Sequence, residues 1–121
     1  MSHHILFVDD EAPIRELLSL YFRKKGWQVT TALNASQAKE LAAKTPFSLA
    51  IVDVNLAGEN GLDLLGYFKT QHPQVPVVIF TGLTGEELVE RARAAGANGF
   101  MRKTESLDTL YQEVNRHLPP P

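Results

Sequence analysis

Short apolar runs alternate along this chain with longer segments in which apolar residues recur every three or four positions. Five such runs predict β-strands: Ile5–Val8, Gln28–Ala32, Leu49–Val52, Val75–Phe80 and Gly99–Arg102. Three of them are almost purely apolar over four to six residues. That pattern is typical of strands buried on both faces, as in a parallel sheet covered by helices.

The segments that follow these runs are amphipathic and predict five helices. Pro13 suits the first turn of the first helix, where no N–H donor is needed, and Gly26 suits its end. Thr84 and Glu87 form a capping box that predicts the start of the fourth helix, which ends at Gly96. The other helices carry, in chain order, Ala38, Leu41 and Ala42 after a capping Asn34; Leu62, Leu65 and Phe68; and Leu107, Leu110, Tyr111, Val114 and Leu118.

Five strand–helix units in 121 residues predict an α/β fold, with one parallel sheet and helices on both of its faces. Right-handed crossovers leave few topologies for such a sheet. The length fits a single domain, which we place at residues 1–118. Residues 119–121 are all proline, and we interpret them as a tail or as the start of a linker.

The composition excludes several classes of protein. Lys and Arg total 12 against 14 Asp and Glu, and a net charge of −2 gives no basic footprint for nucleic acid or an anionic membrane. The longest apolar stretch, Val75–Phe80, is far shorter than the roughly 20 residues of a membrane span. The chain has no cysteine and shows no secretory leader. We therefore expect a cytoplasmic protein that binds neither nucleic acid nor membrane directly.

Polar residues directly follow four of the predicted strands. Asp9 and Asp10 follow the first, Asp53 the third, Thr81 the fourth and Lys103 the fifth. Because the carboxyl ends of parallel strands share one edge, where open α/β sheets bind ligands, we expect these side chains to cluster. A single Asp after a strand is more often a turn former or a helix cap, and Asp10 also suits a cap of the first helix. Three acidic residues at one edge favour a site, since capping does not require clustered charge.

Three clustered carboxylates need a cation, because unit charges 4 Å apart repel by ~4 kcal/mol at an effective dielectric near 20. Ligands that are all oxygen favour a hard ion, and an incomplete shell with room for water and substrate suits Mg²⁺ better than Ca²⁺. Mg²⁺ and Lys103 together balance the three acidic residues and leave a pocket for a phosphoryl group. Phosphoryl transfer needs an in-line nucleophile, a metal and donors to the remaining oxygens, roles that suit Asp53, Mg²⁺, Thr81 and Lys103.

This arrangement resembles the receiver domain of bacterial two-component response regulators, of the chemotaxis-regulator type, over essentially the whole chain. The segment DVNLAGENG from Asp53 to Gly61 is similar to the family's loop after the phosphoacceptor. Thr81-Gly82 is similar to its Thr followed by a small residue, and GANGF ending at Phe100 precedes Lys103 at the family's usual spacing. The resemblance implies a doubly wound, flavodoxin-like (βα)5 fold with strand order 2-1-3-4-5.

The resemblance also implies a function for each of these residues. Asp53 would accept phosphate from a sensor histidine kinase or a phosphotransfer protein, and Thr81 and Lys103 would grip the phosphoryl group. Phe100 would be the switch residue whose burial follows the movement of Thr81. The implied Mg²⁺ ligands are Asp9, Asp10, Asp53 and the backbone carbonyl of Asn55.

The output implied by the resemblance is a change of affinity at one face, made by the fourth helix, the fifth strand and the fifth helix. That face would control an effector domain or a separate output protein, and a homodimer is among the partners that the resemblance allows. The chain would act as a signalling switch, not as an enzyme on other substrates, and would catalyse only its own phosphorylation and dephosphorylation.

Two residues depart from the family pattern, and a third bears on the lifetime of the phosphate. Ala57 and Thr104 stand where the family usually has proline. Because a non-proline cis bond costs ~2.5–4 kcal/mol, we expect a trans peptide between Lys103 and Thr104. Leu83 is apolar at a place where a polar side chain would orient an attacking water, and it predicts slow loss of the phosphate.

Two other functions remain open on the sequence. Haloacid dehalogenase-type phosphatases also use a strand-end Asp with Mg²⁺, but they carry a second acid two residues later, where this chain has Asn55. The chain also has no insertion large enough for their cap. The second alternative is an interaction module that works without phosphorylation. Such degenerate receivers usually lack one of the key residues, and all are present here.

Overall fold

The strands and helices of the chain alternate as predicted, in a computed structural model that describes residues 3–56, 58–82 and 85–118. The strands of the central sheet are β1 (His4–Val8), β2 (Gln28–Ala32), β3 (Leu49–Val52), β4 (Val77–Thr81) and β5 (Gly99–Arg102). The helices are α1 (Ala12–Lys24), α2 (Ala35–Lys44), α3 (Gly61–Gln71), α4 (Glu86–Ala94) and α5 (Leu107–His117).

The five strands form one parallel sheet in the order β2-β1-β3-β4-β5, which confirms the predicted order and the flavodoxin-like fold. Val8 at the end of β1 is in register with Val52 at the end of β3. The two acidic residues that follow, Asp9 and Asp53, therefore leave neighbouring strands at the same level. The chain turns to opposite sides of the sheet after these two strands, which is the point where open α/β sheets bind ligands.

Two apolar layers cover the two faces of the sheet. Side chains alternate between the faces of a strand, so Ile5 and Phe7 pack with α1 and α5, whereas Leu6 and Val8 pack with α2, α3 and α4. All four residues of β3 are fully buried. The apolar runs of the sequence thus correspond to strands covered on both faces, as predicted.

The predicted start of β4 is wrong. The sequence predicts a strand from Val75, but the Val75 N–H donates to the His72 carbonyl in a turn, and Pro76 has no N–H for a strand ladder. The strand begins at Val77 and continues through Thr81, which pairs with Arg102 of β5. Thr81 is therefore the last residue of the strand and does not follow it.

The predicted capping box at the start of α4 is also wrong. The helix begins at Glu86, and its N-cap is Gly85, whose φ of +123° is accessible to glycine and unfavourable for other residues. Gly96 follows the end of the helix with φ +102°, as the sequence predicts. Thr84 lies outside the described residues, as do Ala57, Leu83 and residues 119–121.

A short hairpin that the sequence does not predict follows β3. Residues Asn55–Leu56 pair antiparallel with Glu59–Asn60, and the Asn60 side chain accepts a hydrogen bond from the Leu62 N–H at the start of α3. The hairpin therefore fixes the connection between the carboxyl end of β3 and the helix that follows. In the part of the chain that the structure describes, no helix is both long and apolar enough to cross a membrane.

Candidate functional site

Asp9 and Asp53 are held side by side by the backbone of the sheet. The Asp9 N–H donates to the Ala32 carbonyl and the Asp53 N–H donates to the Val8 carbonyl, each at 3.0 Å. Both residues are buried, with 0% and 2% of their surface exposed. Because an ionised carboxylate is costly to bury without compensation, this edge of the sheet requires a positive partner.

Lys103 is the positive partner within the described chain. The backbone N–H of Lys103 donates to the Thr81 carbonyl at 2.9 Å, which fixes the start of the loop after β5 beside the end of β4. Its side chain reaches back across the sheet edge, and Nζ lies 2.7 Å from Asp9 Oδ2 and 2.8 Å from Asp53 Oδ2. The structure thus brings Asp9, Asp53 and Lys103 together, as the sequence predicts, with the backbone of buried Thr81 next to them.

Two residues predicted from the sequence lie at the rim of this cluster. Asp10 is exposed and does not cap α1, whose N-cap is Glu11, so the alternative interpretation of Asp10 as a helix cap is wrong. Asn55 is exposed in the hairpin, and its N–H donates to Asp53 Oδ1 at 3.1 Å. The two Asp53 oxygens therefore have different partners: Oδ1 accepts from the backbone and Oδ2 faces the ammonium of Lys103.

Glu11 belongs to the same cluster and was missed by the sequence analysis. Its Oε1 lies 3.0 Å from Lys103 Nζ. One carboxylate oxygen from each of Asp9, Asp10, Glu11 and Asp53 lies within 4.8 Å of the others. The run of three acids after β1 is the sequence signal for Glu11, but an acid in the first turn of a helix usually has the simpler role of interacting with the helix dipole.

The cluster carries an excess of negative charge, because it holds four carboxylates and one ammonium. Burial raises the pKa of Asp9 above its usual value, and the nearby Lys103 offsets part of that effect. For Lys103, burial alone would lower the pKa, but its contacts with the carboxylates of Asp53, Asp9 and Glu11 outweigh burial, and the pKa lies above its usual value. Lys103 is therefore firmly protonated, and the site still lacks positive charge.

The residues of the site fit a hard divalent cation. Asp9 Oδ2 is completely buried and, although it lies 2.7 Å from Lys103 Nζ, it accepts no hydrogen bond of acceptable geometry within the described chain. A buried carboxylate oxygen of this kind is the donor that Mg²⁺ prefers, and the exposed carboxylate of Asp10 stands beside it. The residues present are therefore compatible with Mg²⁺ held by a few carboxylates and by water.

Gly61 makes the close packing beneath the site possible. It is the first residue of α3, and its N–H donates to the Val54 carbonyl at 2.7 Å. A Cβ at this position would collide with the backbone carbonyl of Asp53 and would lie 2.7 Å from Val54 Cα. Glycine is thus required for α3 to start directly against the backbone of Asp53, which gives a steric reason for the motif residue at this place.

Phe100 lies half-buried on β5, away from the carboxylates. Its ring lines a cavity of about 120 Å³ between α4 and β5, with Val89 and Ala92 among the other lining residues. The guanidinium of Arg102 lies 5.9 Å from the centre of the ring. The described chain contains no cis peptide bond, so the peptide between Lys103 and Thr104 is trans, as predicted.

Comparison with known proteins agrees with this geometry. Residues 5–115 match the response regulator receiver domain family. The chain is 38% identical over 109 residues to response regulator protein PilR of Pseudomonas aeruginosa, which covers 90% of this chain and 24% of PilR. It is 29% identical over 119 residues to sporulation initiation phosphotransferase F of Bacillus subtilis, which covers 98% of this chain and 96% of that protein.

Among solved structures, the chemotaxis protein CheY4 of Vibrio cholerae superposes with a TM-score of 0.91 at 28% identity, covering 98% of this chain and all of that one. The chain spans about a quarter of the length of PilR and nearly all of the length of the two smaller proteins. Its sequence, its strand order and the acidic edge of its sheet agree with one another, and the chain belongs to the response regulator receiver domain family of two-component phosphorelay signalling.

Proposed function

We propose that this chain is a phosphoacceptor switch that takes a phosphoryl group onto Asp53 from a histidine kinase or a phosphotransfer protein. One observation carries the proposal: the buried Asp53 carboxylate lies 2.8 Å from Lys103 Nζ, within a cluster of acids that has more negative charge than its own lysine balances. Such a cluster is unfavourable for stability alone, whereas metal-assisted phosphoryl transfer requires it.

In the transfer step, a carboxylate oxygen of Asp53 attacks phosphorus, and the bond between phosphorus and the imidazole nitrogen of the donor breaks. The new acyl phosphate stays on Asp53 and the imidazole leaves with the electron pair. Lys103 pairs with the phosphoryl oxygens, and the Thr81 hydroxyl donates to one of them. The Asn55 N–H holds the other Asp53 oxygen, so the attacking carboxylate is oriented by the backbone.

Asp9, Asp10, Asp53 and the backbone carbonyl of Asn55 are the residues that would hold Mg²⁺. When bound, Mg²⁺ neutralises charge on the transferring oxygens. The protein contributes the fixed spacing of Asp9 and Asp53 on neighbouring strands and the deep burial of both carboxylates. The chain acts only on its own aspartate and is not an enzyme with an external substrate.

The phosphoryl group acts at a distance through Thr81 and Phe100. A phosphoryl group that draws Thr81 toward Asp53 vacates space beside β5, and Phe100 turns inward from its half-buried position against the cavity by α4. The surface made by α4, β5 and α5 then changes its affinity for an effector domain, an output protein or a second copy of the chain. A ligand shifts such an equilibrium only by contacting the two states differently, and Thr81 and Lys103 supply that difference.

The partners that follow from this proposal are proteins of the cytoplasm. The net charge of −2 gives no footprint for direct binding of nucleic acid or of a membrane. PilR is about four times as long as the matched region, so an output domain on the same polypeptide is one form that the partner takes.

The apolar Leu83 favours slow hydrolysis of the acyl phosphate, because it provides no polar group to orient water.

The proposal is tested by intact-mass measurement after incubation with a small phosphodonor and Mg²⁺. We expect the wild-type chain to gain the mass of one phosphoryl group, and Asp53→Asn to gain none. Asp63→Asn is the matched control, because Asp63 is an exposed acid on the first turn of α3. A mass gain that persists in Asp53→Asn would disprove the role of Asp53.

Mg²⁺ binding is tested separately by thermal unfolding. An ion that binds only the folded state stabilises it by RT ln(1 + [L]/Kd), which is about 1.4 kcal/mol at ten times Kd. We expect Mg²⁺ to raise the melting temperature of the wild-type chain, and a much smaller shift in Asp9→Asn. An unchanged melting temperature in the wild-type chain would instead favour an interaction module that works without phosphorylation.

A further inference from the structure

Three carboxylates crowd the ammonium of Lys103. It donates hydrogen bonds to Glu11 and Asp53, and Asp9 lies within ion-pair distance of it. An ammonium has three N–H donors, and three carboxylate oxygens surround Nζ: Asp9 Oδ2 at 2.7 Å, Asp53 Oδ2 at 2.8 Å and Glu11 Oε1 at 3.0 Å. A phosphoryl oxygen that binds Lys103 therefore competes with these carboxylates for the ammonium. The burial of the three side chains indicates which one is displaced.

Glu11 is the partner that water can replace. The side chains of Asp9 and Asp53 are 0% and 3% exposed, whereas that of Glu11 is 59% exposed. A buried carboxylate that loses its cation is left without compensation, which is strongly unfavourable. A carboxylate that is exposed is solvated again at little cost, since surface ion pairs contribute little to stability.

The backbone directs Glu11 toward Lys103. Glu11 occupies the N-cap of α1 with extended backbone (φ −92°, ψ 109°), and its N–H donates to Asp9 Oδ1 at 2.9 Å. An N-cap side chain normally accepts from the first turn of its helix, but Glu11 makes no such bond and reaches a lysine 92 residues away in sequence. The Glu11 carboxylate thus accepts a hydrogen bond from Lys103 and does not cap the N-terminus of α1.

We propose that Glu11 is a positioning residue of this site: it holds the Lys103 ammonium in the unphosphorylated chain and competes for it with the phosphoryl group on Asp53. The inference rests on the proposed function, since it needs a phosphoryl group at Asp53. Glu11 also adds a fourth negative charge to the cluster. It therefore favours binding of a divalent cation and disfavours binding of the anionic phosphoryl group.

The two effects have opposite signs, and this separates competition from a structural role. In Glu11→Gln, we expect Mg²⁺ to bind about two- to fivefold more weakly, because one carboxylate is lost. We expect beryllium fluoride, a tetrahedral phosphoryl mimic, to bind about two- to fivefold more tightly at saturating Mg²⁺, because Lys103 is released. Misfolding or loss of local structure would instead weaken the binding of both Mg²⁺ and beryllium fluoride.

The experiment measures both affinities by calorimetry for the wild-type chain, Glu11→Gln, Glu11→Asp and Glu40→Gln. Glu40 is an exposed acid on α2, so its variant removes the same charge elsewhere and should match the wild-type chain. Glu11→Asp keeps the charge but is one methylene too short to hold Lys103, and should bind beryllium fluoride more tightly than the wild-type chain does.

The outcomes distinguish the inference from the function on which it rests. Absence of beryllium fluoride binding in the wild-type chain at saturating Mg²⁺ would overturn both. Binding in the wild-type chain with equal or weaker binding in Glu11→Gln would leave the phosphoacceptor function intact and overturn the role of Glu11. Wild-type behaviour of Glu11→Asp would also overturn it, because charge without contact would then account for the effect.

Discussion

The two edges of the sheet pair their polar groups in different ways. At the amino edge, His4 Nε2 lies 2.7 Å from Thr30 Oγ1, the His4 N–H donates to Ser48 Oγ at 3.1 Å, and Asn98 Oδ1 accepts from Lys69 Nζ and from the Val77 N–H. The acceptors there are neutral hydroxyl and amide groups. Polar groups paired in this manner stabilise the fold and require no ligand.

The carboxyl edge instead concentrates charge of one sign. Four acidic side chains lie together there, and three of them form ion pairs with Lys103. A buried oxygen of Asp9 accepts no hydrogen bond of acceptable geometry in the described chain. A fold selected for stability alone would not retain that arrangement, since an excess of charge of one sign at a buried site is unfavourable. In this chain the edge proposed to be functional differs from the other in the charge that its own residues leave unbalanced, and not in the presence of polar groups.

The largest expected difference between the edges is in the stability lost when a lysine is replaced. Lys103→Met leaves the buried carboxylates of Asp9 and Asp53 without a cation and should lower the free energy of unfolding by about 3–5 kcal/mol in a chelator. Lys69→Met at the amino edge removes a donor to the neutral Asn98 and should cost about 1 kcal/mol or less. Urea unfolding measures both.

The same two variants are then compared in added Mg²⁺. Mg²⁺ should restore much of the stability of Lys103→Met, because a divalent cation replaces the lost charge, and should leave Lys69→Met no more stabilised than the wild-type chain. Equal losses in the two variants in a chelator would contradict the difference between the edges.

A second difference concerns the glycine packed beneath the site. Gly61→Ala places a methyl group against the backbone carbonyl of Asp53 and should lower the free energy of unfolding by about 1–3 kcal/mol. Gly66→Ala is the matched control on the same helix, since nothing lies within 4 Å of its added Cβ. That variant should stabilise the chain by about 0.5–1 kcal/mol. Chemical denaturation would contradict the packing if both substitutions had the same sign.

The smallest expected effect is a pH dependence at the amino edge. Burial lowers the pKa of His4 below 6.5, so the unfolded chain binds the proton first. The stability that His4 contributes is fully present above pH 6.5 and is lost as the pH falls through its folded pKa. His4→Gln should unfold in urea with a weaker loss of stability between pH 7.5 and 5.5 than the wild-type chain. An identical loss in the two chains would exclude His4 as the source.

Most of the fold could be predicted from the sequence because strands buried on both faces are read directly from apolar runs such as Leu49–Val52. The errors lie where backbone hydrogen bonding overrides hydrophobicity. Val75 is apolar and buried, yet its N–H belongs to a turn and not to β4. The hairpin after Asp53 pairs only two residues on each side, which is too short to leave a periodic signal in the sequence.

Much of the site could also be predicted, since connectivity alone places Asp9, Asp53 and Lys103 at one edge of a parallel sheet. Glu11 could not, because its role depends on the direction of one side chain at a helix start. Its contact joins residues 92 positions apart, and no local pattern of the sequence encodes it. The steric reason for Gly61 likewise appears only when α3 is seen against the backbone of Asp53.

Locating the phosphate shows whether the charged edge carries it on Asp53. The wild-type chain is treated with a small phosphodonor in Mg²⁺ or in a chelator, the acyl phosphate is reduced with borohydride, and the modified residue is identified by peptide mass spectrometry. We predict modification at Asp53 that depends on Mg²⁺. Modification at another residue would show that Asp53 is not the phosphoacceptor, and equal modification of Asp53 in the chelator would show that transfer does not need the metal.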